Sequence, residues 1–200
     1  MLTIIKELLE KEAAAIKNIP LEESIPEAVN QIYKKVHQEG GKLIFSGMGK
    51  AGQIALNIAT TFSSTGTPSV FIHPSDAQHG DLGVITEKDI LLLISNSGKT
   101  REIIELIALA KNLAGNIPII VITGNPEAEL AGMANIVIST GHPREICPLG
   151  LTPTTSTTTM TVIGDILVVL LMKKINFTKA DYAKRHHGGY LGEKSRTGIN

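Results

Sequence analysis

The sequence predicts a three-layer α/β/α sandwich built on a five-stranded parallel sheet. Five short apolar runs occur, four of them almost unbroken, and helical stretches long enough to cross over separate them. Unbroken apolar runs suit strands covered on both faces, whereas a one-sided sheet would alternate polar and apolar residues. Glycine-rich turns at the run ends complete the pattern of a wound α/β domain.

In chain order, Leu2, Ile5, Leu8, Leu9, Glu12 and Ile16 keep a mostly helical spacing until Pro20 breaks it. Ser24 then caps a second helix with Pro26 in its first turn, and Gly40 and Gly41 end it. The strand candidates are 42–46, 69–73, 89–95, 117–123 and 135–139. An irregular stretch, 140–154, holds Pro143, Pro148 and Pro153 and leads through a threonine run into a long apolar helix at about 155–173. These divide one expected domain, 1–200, into N-terminal helices (1–40), an α/β core (41–176) and a tail (177–200).

Composition excludes several classes. Lys+Arg and Asp+Glu both number 19, so no excess of positive charge is available for a nucleic-acid backbone or an anionic membrane. Four Phe, three Tyr and no Trp are too few for a base-stacking platform. A core of Ile, Leu, Val and Ala is expected. Cys147 stands alone, the N-terminus carries acids throughout, and no apolar run reaches the length of a membrane span. A cytoplasmic protein is the expectation.

The first strand ends in Gly47-Met48-Gly49-Lys50-Ala51-Gly52, which formally satisfies the dinucleotide-binding G-x-G-x-x-G. The acid such a site needs after the second strand is replaced by His73-Pro74-Ser75, with Asp76 arriving late. The third strand ends in Ser95-Asn96-Ser97-Gly98-Lys99-Thr100, which imitates the end of a P-loop, but Leu93 stands where its first glycine belongs. Hydroxyls and a glycine turn at a helix start favour a monophosphate. Both loops fall at strand carboxyl ends, where a wound sheet gathers its ligand between the first and third strands.

The strings SGMGKAG, TGTPSVFIHPSDAQHGDLG, SNSGKT, PREICPLGLTPTTSTT and RHHGGYLG, in this order, resemble the sugar-isomerase (SIS) domain of D-arabinose-5-phosphate isomerases over about residues 1–193. The resemblance implies a doubly wound, flavodoxin-like sheet, the SIS fold. It also implies interconversion of D-ribulose 5-phosphate and D-arabinose 5-phosphate through an enediol, for lipopolysaccharide or capsule sugar synthesis. Two departures stand out: many such isomerases continue into two CBS modules, whereas a chain ending at Asn200 is expected to work without them, and His187 stands where relatives tend to have proline.

By that resemblance the catalytic residues are Lys50, Glu102, Glu145 and His186, with His79 a further candidate. The residues add their own reasons. Glu145 lies in a Pro-bracketed loop at the end of the fifth strand, where shelter from water would raise its pKa toward that of a working base. Glu102 lies in a first helical turn, which favours its charge. Lys50 suits a phosphate or an enediolate, and His186 suits ring opening or proton shuttling. Substrate contacts are assigned to Gly49, Ser95, Ser97, Thr100, Thr155 and Ser156. An enediol route needs no cofactor, and zinc collected by His79, His186 and Glu145 would be incidental or inhibitory. The expected partners are a sugar phosphate and neighbouring subunits of a homotetramer with shared sites, with a downstream nucleotide sugar as inhibitor and neither nucleic acid nor membrane. A phosphosugar sensor and an isomerase of another sugar phosphate are the competing expectations.

Overall fold

Side chains alternate across a strand, so an all-apolar strand needs a helical layer on each side. The computed structural model, which describes residues 1–196, supplies both layers. Helix α1 (Leu2–Lys17) and α2 (Ser24–Ile32) come first, and α2 runs on as a π-helical segment, Tyr33–Gln38. The sheet then alternates with helices: β1 (Leu43–Gly47), α3 (Gly49–Ser64), β2 (Ser69–Phe71), α4 (Pro74–Ala77), β3 (Ile90–Ile94), α5 (Arg101–Ala114), β4 (Ile119–Thr123), α6 (Glu129–Gly132) and β5 (Ile136–Ser139). Helix α7 (Thr155–Lys174) and the short α8 (Lys179–Ala183) and α9 (Gly189–Arg196) follow. All neighbouring strands pair parallel in the order β2-β1-β3-β4-β5.

On one face Phe45, Leu92, Ile94 and Ile122 pack beneath α2, α3 and α7. On the other, Ile44, Leu91, Leu93 and Val121 pack against Ile103, Leu106 and Ile107 of α5. Each such buried side chain contributes about 1.5–3 kcal/mol relative to exposure. Strand bounds depart from expectation for identifiable reasons. Pro118 has no N–H to give the ladder, so β4 begins at Ile119. Pro74 opens α4 at its first turn and stops β2 at Phe71, leaving a half-buried edge strand.

The glycines after β1 are needed for packing. A Cβ on Gly52 would run into the Gly47 carbonyl oxygen, and Gly49 sits at φ +57. The motif lets α3 start directly against the end of β1, and no dinucleotide is required to explain it.

Two helices are less covered than their apolar content predicts. No side chain of α1 is buried, and Leu2 is 82% and Leu9 65% exposed. Helix α7 is long and apolar enough to cross a membrane by length and composition, yet half of that window is buried inside the fold. Ile166 and Val169 remain exposed on its outer side.

Candidate functional site

Gly47 at the end of β1 lies opposite Ile94 at the end of β3, and the chain leaves these strands toward opposite edges of the sheet. A cavity of about 530 Å3 opens at this switch point. Lys50, Ser95, Ser97, Thr100 and Ser156 line it, so the structure brings together five of the residues that sequence selected.

The loop after β3 is held by its own hydroxyls. Ser95 Oγ lies 2.8 Å from Thr100 Oγ1, the Gly98 amide donates to Ser95 Oγ at 3.2 Å, and the Lys99 amide donates to Ser97 Oγ at 3.2 Å. Gly98 has φ +64, and a Cβ there would stand 2.6 Å from Ala128 Cβ. No side chain among the described residues caps α5, although Thr100 occupies the capping position. Its first N–H groups therefore remain available to an oxyanion at the positive end of the helix dipole. Lys50 and Lys99 add two ammonium groups to the cavity wall, and no carboxylate lines it among the described residues.

Other selected residues lie elsewhere. Gly49 lines a smaller crevice beside His73. Thr155 is buried, and its hydroxyl donates to Glu12 Oε1 at 2.7 Å while accepting from the Ile146 amide at 3.1 Å. That commitment leaves Thr155 off the wall of the first cavity. Glu102 is half-buried on the first turn of α5 and does not line the cavity. His79 is exposed between α4 and a 3-10 turn, Asp81–Val84. His186 stacks on Tyr182 with ring centroids 3.7 Å apart, and its Nδ1 lies 3.0 Å from the Tyr182 carbonyl oxygen. Its neighbour Arg185 lines a cleft with Ser69 and Phe71 at the β2 edge. Among the described residues no three His, Cys, Asp or Glu side chains gather for a metal, so His79, His186 and Glu145 do not assemble within one chain. The last four tail positions, 197–200, lie outside the described residues.

Glu145 borders a second cavity of about 670 Å3. Its Oε2 accepts from the Thr154 amide at 2.7 Å, the Thr154 hydroxyl at 2.8 Å and the Ser156 amide at 3.3 Å. Partial burial pushes this carboxyl up, but the donors on Ser156 and Thr154 outweigh it and hold Glu145 below the usual carboxylate range. The expected raised pKa is thereby corrected: shelter from water is overcome by the N–H groups that open α7. The buried Ser156 hydroxyl makes no hydrogen bond of acceptable geometry.

Sequence reasoning missed His142, Asn125 and Thr157, which also line the first cavity. Asn125 closely follows β4 and His142 closely follows β5, so proximity to strand carboxyl ends was the available signal. His142 adopts φ +51, a left-handed conformation costing a non-glycine residue about 1 kcal/mol or more. Its Nδ1 lies 2.7 Å from the Gly124 carbonyl oxygen, and His142 lines both cavities.

Cys147 also lines the second cavity. Hydrogen bonds from the Thr152 side chain and from the Thr152, Leu151 and Leu149 amides lower its thiol to about 6. The thiolate fraction therefore rises with pH through about 6 and is nearly complete at neutrality. Iodoacetamide labelling of this single cysteine, followed by mass, is expected to show its half-maximal rate near pH 6. A midpoint near that of an ordinary thiol, about 8.5, would contradict the hydrogen-bonded loop.

The model of the SIS domain family matches residues 35–170. Arabinose 5-phosphate isomerase KdsD of Shigella flexneri is 45% identical over 194 residues, covering 95% of this chain and 58% of its own length. The chain thus spans well under two thirds of that relative. A Bacteroides fragilis protein described as a phosphosugar isomerase involved in capsule formation superposes with a TM-score of 0.93 at 63% identity, covering 95% of this chain and 99% of its own. Escherichia coli CFT073 c3406, in complex with arabinose 5-phosphate, superposes with a TM-score of 0.83 at 35% identity, covering 92% and 96%.

Proposed function

Because the chain belongs to the SIS domain family, we propose that it is an aldose–ketose isomerase interconverting D-ribulose 5-phosphate and D-arabinose 5-phosphate through an enediol. The observation that carries this is the uncapped N-terminus of α5 opening into a cavity with two lysines and no carboxylate on its described wall. That site suits a small phosphate monoester, and the arabinose 5-phosphate isomerases among the relatives supply the sugar.

In this mechanism the phosphate sits on the α5 amides with Ser95, Ser97 and Thr100, which repeats for an anion what a capping carboxylate does elsewhere. Lys50 faces the developing enediolate, whose charge an ammonium stabilises. The carbon-bound proton passes to Glu145, which borders the second cavity, joined to the first at His142, or to Glu102 on the first turn of α5. The route conserves electrons within the sugar and needs no cofactor.

The product would feed 3-deoxy-octulosonate synthesis for lipopolysaccharide or capsule in the cytoplasm, and a downstream nucleotide sugar closing over the cavity mouth would inhibit it. The uncovered faces of α1 and α7 support a homotetramer, in which His79 and His186 reach a neighbour's site.

Purified protein incubated with ribulose 5-phosphate in D2O should yield arabinose 5-phosphate carrying one solvent deuterium at C2, seen by NMR. Absence of turnover with ribulose 5-phosphate and with other ketose phosphates would overturn the isomerase reading.

A further inference from the structure

Of the described residues on the cavity wall, only Lys50, Lys99 and His142 carry ionisable side chains. Lysine enters such a site as a protonated donor, which leaves the imidazole as the group able to accept a proton there. A carbonyl oxygen can only accept, so the 2.7 Å contact with Gly124 places the proton of a neutral His142 ring on Nδ1 and leaves Nε2 as an acceptor. Gly124 is itself held in place: its amide donates at 3.1 Å to the Asn96 carbonyl oxygen, within the loop that carries Ser95 and Ser97. Ring and phosphate loop therefore share one backbone support. The positive φ of His142, next to Gly141 at φ +78, turns the chain sharply where the ring meets the cavity.

We propose that His142 is a further catalytic residue: its Nε2 takes the hydroxyl proton of the bound sugar phosphate and returns it to the neighbouring oxygen as the carbonyl migrates. The proposal rests on the isomerase reading. In the aldose-to-ketose direction the hydrogen on C2 leaves to the carboxylate base and returns to C1. Meanwhile the O2 proton passes to Nε2 and on to O1, so that C1=O becomes C1–OH while C2–OH becomes C2=O. Two protons move, none is gained or lost, and no electron leaves the sugar. The charged and titratable groups bordering the same two cavities are Lys50 and Lys99 on one side and Lys11, Arg144, Glu145 and Cys147 on the other.

Glycine suits φ +51, so His142→Gly removes the ring and relaxes the backbone, and His142→Asn tests the ring with a second residue that tolerates this conformation. Both should lower kcat by about 100-fold, the scale of a lost general acid–base group, with KM changed by less than about threefold. Added imidazole should restore part of the Gly variant's turnover. Retained kcat, or a raised KM with kcat unchanged, would overturn the relay alone. An inactive wild-type enzyme would overturn it together with the isomerase reading.

Discussion

Replacing Lys50 with methionine is expected to lower kcat/KM for ribulose 5-phosphate by about 100- to 1,000-fold, the range seen when one preorganised electrostatic contact to a developing oxyanion is removed. Lys50 is exposed on the first turn of α3, and its Nζ has only a long contact, 3.4 Å, with Gln53 Oε1. Its side chain is therefore not committed to stability, and methionine keeps the aliphatic stem while deleting the charge. The melting temperature should stay within about 2 °C of the wild type, as for a surface substitution. Equal losses in kcat and kcat/KM would place the ammonium on the enediolate, whereas a rise in KM alone would place it on the phosphate. Unchanged kcat/KM would remove Lys50 from the site.

The second large effect is a recovery. Glu145→Gln and His186→Ala proteins should each be nearly inactive, and after subunit exchange their equal mixture should regain about a quarter of wild-type activity. In a two-fold assembly half the pairs are mixed, and each mixed pair has one intact site of two. The expectation comes from placement. Glu145 borders a cavity beside α1, while His186 stacks on Tyr182 in the tail whose Arg185 lies against the β2 edge. Among the described residues, none of the cavities named above is lined by both. The exposed apolar residues of α1 and α7 give a second copy something to cover, with Leu2, Leu9, Ile166 and Val169 otherwise facing water. No recovery, with exchange verified by native mass spectrometry, would mean that each chain holds a complete site.

How legible the fold and site were depended on whether the signal was local. The strands could be read because burial on two faces leaves an apolar run, as at Ile90–Ile94, whose neighbours on both layers are helices. The loop after β3 could be picked out because its hydroxyls and glycine are contiguous in sequence. His142 was passed over although it closely follows β5, because a histidine between Gly141 and Pro143 belongs to no motif; the β4 and β5 connections carry its ring to Gly124. Glu145 was selected, but its acidity was misjudged. Burial alone raises a carboxyl, and only the folded chain shows that Thr154 and Ser156 point their amides at it. Thr155 was drawn to the site by its place in the threonine run, whereas α1 reaches over to take its hydroxyl through Glu12.

That carboxylate of Glu145, held against the opening turn of α7, also bears on how a sugar phosphate would lie. Three helices, α3, α5 and α7, begin near the switch point, and α7 already carries an internal anion. On the proposed isomerase reading, a phosphate monoester is left with the first turns of α3 and α5, and α5 is the one that stands beside Ser95, Ser97 and Thr100. A phosphate held there would direct the carbon chain away from those hydroxyls. Part of the direction along such a substrate would then be set by a residue of the protein filling one competing berth, before any contact with an individual sugar hydroxyl is made.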